Sequence, residues 1–352
     1  MVKKIPVAIL GATGSVGQRF VQLLAQHPWF EIAALAASER STGKKYAEAV
    51  RWLMPTPLPK AIASMPVQAC DPNLACRIAF SGLDANAAGE IETEFARAGK
   101  FVLSNAKNHR WDPNVPLMVP EVNASHLELV RHQDFKGGAI ITNPNCSTTG
   151  LVVGLKPLLD RFGLREVQVV TMQALSGAGY PGVPSLDILD NVIPFIGGEE
   201  EKLQKEPTKI LGTLNDRGIQ LLDVTISAQC NRVAVFDGHL ECVSVRLGKK
   251  ASEEELKSAW REFSAEPQKL NLPMAPEHPI YYFEEENYPQ PRLHRDLDKG
   301  MAVSIGRLRK DSLMDYKFVL LSHNTIRGAA GGAILNAELL ARDARYGMRD
   351  AG

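Results

Sequence analysis

The period of apolar and polar positions changes near the middle of the chain. Ile5–Leu10 is a short apolar run that ends at a glycine. Such a run reads as a strand buried on both faces, as in a parallel sheet, with Pro6 placed near its beginning because it cannot donate to a ladder. The runs 31–36, 77–80, 101–103 and 139–142 repeat the pattern, and helices are predicted over 16–26 and 86–98. Strand–helix alternation of this kind predicts a doubly wound parallel sheet.

From about residue 165 the segments lengthen. The runs 166–174, 219–228, 240–247, 301–308 and 316–321 are rich in Val and Ile, and several alternate. They predict strands of an α+β unit with a mostly antiparallel sheet. Ser252 caps a helix predicted over 253–266. The stretch 266–300 is dense in proline and charge and reads as a long loop covering a site or a subunit contact. A last helix, 332–345, follows the small residues 328–332, which suit close packing on the first unit. The expected division is 1–145, completed by 325–352, and 146–324.

Composition narrows the function. The 352 residues are 45% hydrophobic and 23% charged, and 40 Lys plus Arg balance 40 Asp plus Glu. This neutral balance gives no support for a nucleic-acid or anionic-membrane partner. No apolar run approaches the ~18 residues that span a bilayer. Met1-Val2-Lys3-Lys4 precedes too short an apolar run for a signal peptide, so a cytoplasmic location is expected. Cysteines stand at 70, 76, 146, 230 and 242 without a C-x-x-C, and no H-x-x-x-H pair occurs, so neither a disulfide framework nor a metal site is predicted.

The first strand opens into Gly11-Ala12-Thr13-Gly14-Ser15-Val16-Gly17. Three glycines let the backbone turn tightly and approach a pyrophosphate, and the following helix aims its N–H groups at that anion. With the strand order above, this predicts a Rossmann-like dinucleotide domain. After the second strand, Glu39 is a candidate for a ribose 2′-hydroxyl. Ser38, Arg40, Ser41 and Lys44 instead form a cup for a 2′-phosphate, which favours NADP over NAD.

The run Asn143-Pro144-Asn145-Cys146-Ser147-Thr148-Thr149-Gly150 places one cysteine directly before a candidate helix. Free cysteine titrates near ~8.5, and a helix N-terminus favours the thiolate, the attacking form. Cys146 is therefore a candidate nucleophile.

Ordered along the chain stand GATGSVGQRF, SNAKNHR (104–110), VPLMVPEVN (115–123), NPNCSTTGL (143–151), SGAGYPG (176–182), PFIGGEEEK (194–202), NRVAVFDGH (231–239) and NTIRGAAGGAILNAELL (324–340). Together they resemble the archaeal and fungal branch of the aspartate-β-semialdehyde dehydrogenases over essentially the whole chain. The resemblance implies NADPH-dependent conversion of β-aspartyl phosphate to aspartate semialdehyde through a cysteine thioester, on the route to lysine, threonine and methionine. It implies Cys146 as nucleophile and His239 as acid/base, on a turn expected to expose the ring. Gln173 would position the substrate, Arg232 would grip its α-carboxylate and Glu199 its amino group, with the neighbouring Glu200 and Glu201 leaving that choice open by one position. Arg110 and Lys202 would receive phosphate, and Asn145 with the Cys146 N–H would hold the oxyanion. Ser176, Gly177 and Asn336 join the cofactor contacts, and the catalytic unit is expected to pair as a homodimer, or as a homotetramer. One departure is Ala234, where the family carries proline. The rivals are an acyl-CoA reductase of the malonyl-CoA type and a non-catalytic NADP sensor.

Overall fold

The computed structural model describes residues 3–343 and 345. Two six-stranded sheets form its framework. The first contains β1 (Ile5–Leu10), β2 (Phe30–Ala36), β3 (Val67–Gln68), β4 (Ile78–Ser81), β5 (Phe101–Ser104) and β6 (Ala139–Thr142). All its pairs are parallel, in the order β3-β2-β1-β4-β5-β6. That is the doubly wound order, in which ligands bind where neighbouring strands lead in opposite directions, here between β1 and β4. β4, β5 and β6 are buried at every residue, which explains their continuous apolar runs. The first two predicted helices appear as Ser15–Leu24 and Ala85–Arg97.

The second sheet is mixed. It contains β7 (Leu164–Gln173), β10 (Thr225–Arg232), β11 (His239–Leu247), β12 (Ile280–Phe283), β13 (Val303–Lys310) and β14 (Tyr316–Ser322), in the order β10-β7-β11-β14-β13-β12. The three inner pairs are antiparallel and the two edge pairs are parallel. Strand direction at an edge depends on the crossover that leads to it, which residue patterning does not encode.

Three expectations need correction. The run 219–228 is broken: β8 (Thr213–Asn215) and β9 (Gly218–Gln220) make a separate hairpin, turned through Asp216-Arg217, before β10 begins. The helix over 253–266 stops at Arg261, and a short helix Glu266–Lys269 follows with Pro267 in its first turn, where a missing N–H costs no helix bond. The stretch 266–300 is not a plain loop, since β12 lies inside it and completes the sheet. The last helix spans Gly331–Arg342, and residues 344 and 346–352 of the expected terminal segment lie outside the described residues.

Two cores hold the elements. Ile334, Leu335 and Leu340 of the last helix pack with Val7, Ile9 and Phe80 of the first sheet. Leu151, Val152, Leu155 and Leu158 of the helix Cys146–Phe162 pack with Val167, Val243 and Phe318 of the second. Each such side chain, fully buried, contributes about 1.5–3 kcal/mol. A Cβ at Gly154 would stand 2.5 Å from Leu320, so the glycine lets this helix lie close on its sheet. Among the described residues no helix is long and apolar enough to cross a membrane.

Candidate active site

The helix Cys146–Phe162 begins immediately beyond β6, and Asn145 is its N-cap. The Asn145 Oδ1 accepts from the N–H groups of Ser147 at 3.0 Å and Thr148 at 3.4 Å. Such a cap contributes about 1 kcal/mol and fixes the rotation of the first turn. The Asn145 amide nitrogen donates to Glu199 Oε2 at 2.7 Å, and its backbone N–H donates to Glu206 Oε2 at 2.7 Å. Cys146 is thus anchored from the residue before it. Its own N–H has no backbone acceptor among the described residues, which leaves it available to a ligand oxygen.

His239 opens β11. Its Nε2 lies 3.1 Å from Cys146 Sγ, and its Nδ1 accepts the Ala174 N–H at 3.0 Å. An imidazole nitrogen that accepts a hydrogen bond carries no proton, so the neutral ring holds its hydrogen on Nε2, facing the sulfur. The expected exposure of the ring is wrong: His239 is completely buried. Burial, then Arg232 and His323, push the imidazole down to about 3. At the sulfur the same forces favour the thiol over the expected thiolate. Burial, then the Glu199 charge, push the Cys146 thiol up to about 12, against the opposing pull of Arg232, the Ser147 N–H and Lys202. The helix end lowers a thiol by a modest amount, and desolvation beside a carboxylate outweighs it.

The remaining polar residues converge on this pair. Gln173 ends β7, and its amide nitrogen reaches Glu199 Oε2 at 3.3 Å. Arg232 ends β10, and its Nη1 donates to the Ala174 carbonyl at 2.6 Å. Replacement of proline by Ala234 leaves Arg232 in that contact. A Cβ at Gly177 would stand 2.9 Å from Arg232 Nη1 and 3.1 Å from the His239 ring, so only glycine leaves both groups their places. A Cβ at Gly328 would meet Cys146 Cα at 2.8 Å, so the turn 326–330 packs directly against Cys146.

One face of the helix Glu199–Ile210 carries four charged groups at helical spacing. Glu199 accepts from Asn145, Gln173 and Lys202. The structure thereby separates Glu199 from its neighbours: Glu200 accepts from the Cys230 N–H, and Glu201 pairs with Lys205 on the surface. Lys202 Nζ lies 2.7 Å from Glu199 Oε1. Glu206 takes Arg110 Nη1 at 2.7 Å with one oxygen and the Asn145 N–H with the other. Lys209 donates to the carbonyls of Arg110, Asp112 and Val115, which secures the loop that carries Arg110. Arg110 also donates to the Asn105 carbonyl, and its Nε is buried without a partner.

A cavity of about 1070 Å³ runs from the glycine turn to Cys146. Gly11 has φ +74, and a Cβ there would stand 2.7 Å from the Gly82 carbonyl oxygen at the end of β4. The backbone is therefore laid open at the switch point, as an elongated dinucleotide requires. Gly11, Thr13, Gly14, Ser15, Val16 and Ser38 line this end, and Ser176 and Gly177 line the end near the sulfur. Gly17 does not line it: a Cβ there would be 2.1 Å from the Gly11 carbonyl oxygen, so its service is close packing of turn and helix. Arg40 and Ser41 lie on the turn beyond Ser38, outside the lining. Asn336 is buried in the last helix, outside the cavity lining; its amide nitrogen donates to Asn143 Oδ1 at 2.6 Å, and its Oδ1 has no partner among the described residues.

The family described as "Semialdehyde dehydrogenase, NAD binding domain" matches residues 6–130, and "Semialdehyde dehydrogenase, dimerisation domain" matches 155–327. The aspartate-semialdehyde dehydrogenase of Schizosaccharomyces pombe is 53% identical, covering 95% of this chain and 97% of that one. That of Archaeoglobus fulgidus is 51% identical over 96% of this chain and 98% of its own. The chain belongs to the aspartate-semialdehyde dehydrogenase family. A crystal structure of the Candida albicans member with NADP superposes with a TM-score of 0.90, at 47% identity, over 96% of this chain and 98% of that one.

Within this member of the family, three site residues escaped the sequence reading. Glu206 sits in a charged helix where nothing distinguishes a buried carboxylate from a solvated one, except its spacing seven residues beyond Glu199. Asn324 accepts the Gly238 N–H and donates to Ser176 Oγ, which ties the His239 turn to the cavity wall. Tyr180 meets the Arg51 guanidinium across the cavity mouth.

Proposed function

We propose that this protein catalyses the reversible, NADPH-dependent reductive dephosphorylation of β-aspartyl phosphate to aspartate semialdehyde through a thioester on Cys146. The observation that carries this is the Cys146 sulfur 3.1 Å from His239 Nε2, with the charges of Arg232, Glu199 and Lys202 acting on the sulfur and Arg110 lining the same cavity. Arg232 is assigned the α-carboxylate, for which its planar fork is suited, and Glu199 the α-ammonium. Arg110 and Lys202 are assigned the phosphate. In the biosynthetic direction Sγ bonds to the acyl carbon, the carbon–oxygen bond to phosphate breaks, and the thiol proton leaves with the phosphate. A substrate ammonium beside Glu199 offsets the charge that holds the thiol protonated, so binding itself favours attack. The Cys146 N–H and the His239 Nε2–H donate to the oxygen and sulfur of the tetrahedral species, a stabilisation of about 3 kcal/mol per donor in comparable sites.

When bound along the glycine-lined cavity, the dinucleotide supplies the hydride that reduces the thioester. The resulting tetrahedral alkoxide collapses to the aldehyde and the Cys146 thiolate, which takes a proton from water to restore the thiol. NADP is the cofactor, with its 2′-phosphate directed to Ser38 and the adjoining turn of Arg40 and Ser41. The protein acts as a homodimer through its second unit, or as a pair of such dimers. Tyr180, Leu186, Leu189, Val192, Phe195 and Phe236 are large apolar side chains left exposed within 180–236, which supports such a contact. Five free cysteines fit a reducing, cytoplasmic compartment. The test is spectrophotometric. NADP should be reduced by aspartate semialdehyde only when phosphate is present; equal turnover without phosphate, or a requirement for coenzyme A, overturns the assignment.

A further inference from the structure

A second cavity, of about 540 Å³, lies behind the first. Lys107, Arg110 and Lys202 line both, so these three side chains form the partition between them. The far side is walled by Trp111, Lys205 and the Gly197–Gly198 turn. Four basic and two acidic side chains line this chamber. Glu206 is committed to Arg110 and Asn145, and Glu201 to Lys205. Lys107 makes no ion pair within 4.0 Å among the described residues. Lys202 is paired with Glu199, so the positive excess of the chamber rests on Lys107, and the buried Arg110 Nε has no partner among the described residues.

From this we infer that the chamber is a separate entry and exit for inorganic phosphate, reaching the Arg110–Lys202 subsite without passing the dinucleotide. The inference rests on the function proposed above. In that reaction phosphate must enter or leave while the long cofactor occupies the first cavity, whose lining runs without a break from Gly11 to Cys146. A passage with a net positive lining raises the local concentration of a small anion and its encounter rate, by about tenfold at the lower end of such effects. Glycine at 197 keeps the wall thin: a Cβ there would have no heavy atom within 4 Å, and its φ is not in the left-handed region. A large side chain at 197 can enter the chamber without displacing backbone.

The test is steady-state kinetics of the full-length enzyme in the phosphorylating direction, with inorganic phosphate as the varied substrate. Gly197→Trp should lower kcat/KM for phosphate about tenfold, and Lys205→Glu should lower it by a similar factor and flatten its dependence on ionic strength. KM for aspartate semialdehyde and for NADP should stay within about twofold of the parent. A phosphate kcat/KM unchanged in both variants overturns the inference, as does an equal loss for phosphate and semialdehyde, which would report a distorted site. Lys205→Glu, on an exposed helix face, keeps the test open should Gly197→Trp fail to fold. A parent enzyme with no phosphate requirement would instead overturn the underlying function, a result distinguishable from either.

Discussion

The backbone N–H of Ala174 donates to Nδ1 of His239 at 3.0 Å. Ala174 follows the last residue of β7, and His239 is the first residue of β11, so the pairing of two antiparallel strands decides which imidazole nitrogen faces the sulfur. The ring is a proton donor toward Cys146 before any substrate arrives. In that tautomer Nε2 carries a hydrogen and has no free lone pair for the thiol proton.

His239 should therefore remain neutral in solution. Burial and Arg232 set its titration at about 3, against 6.5 for a free imidazole. Nitrogen-15 NMR of the histidine-labelled enzyme should show an unprotonated Nδ1 and a protonated Nε2 down to about pH 5. A ring that becomes doubly protonated near neutrality contradicts the buried, singly protonated arrangement.

The Cys146 thiol follows the opposite sign. Burial and Glu199 hold it up at about 12, so alkylation by iodoacetamide should accelerate with pH throughout the alkaline range. Thiolate concentration below the pKa rises about tenfold per pH unit, so no plateau should appear between about pH 7 and 10. Glu199→Gln removes one of the two causes and should speed alkylation several-fold at pH 8 or so. A plateau near neutral pH in the parent, or slower alkylation in the variant, would reverse the electrostatic account.

Much of this was legible in the residues, and the limits are physical. Buried parallel strands announce themselves as apolar runs, so β1, β2, β4, β5 and β6 were found to within a residue or so at each end. The glycine turn and Cys146 were equally visible, because backbone conformation and helix position restrict which residue types can stand there. Protonation was not. Whether Cys146 is a thiol or a thiolate depends on Glu199, 53 positions away, and on burial created by the fold. The role of Gly177 was hidden for the same reason, since it exists only where Arg232 and His239 converge. The division of Glu199 from Glu200 and Glu201 needed the helix orientation that the second core imposes.

Glu206→Gln addresses the positioning of Arg110. The buried carboxylate holds that guanidinium at 2.7 Å, and a hydrogen bond between charged groups contributes about 1.5–3 kcal/mol. The variant should raise KM for phosphate about tenfold and leave KM for NADP within about twofold, because Glu206 does not line the cofactor cavity. Glu206→Asp should not restore phosphate KM fully, since the shorter side chain cannot reach Arg110 and the Asn145 N–H together. An unchanged phosphate KM in Glu206→Gln would show that Arg110 holds its pose without the carboxylate.

Cys146 as the resting place of the acyl group is the claim on which the mechanism turns. Incubating the enzyme with β-aspartyl phosphate and no reduced cofactor, followed by acid quench and peptide mass spectrometry, tests it most directly. The expected result is one equivalent of phosphate released and an aspartyl adduct on the peptide containing Cys146, absent in Cys146→Ser. An adduct on another side chain, or phosphate released with no adduct on the protein, would contradict it.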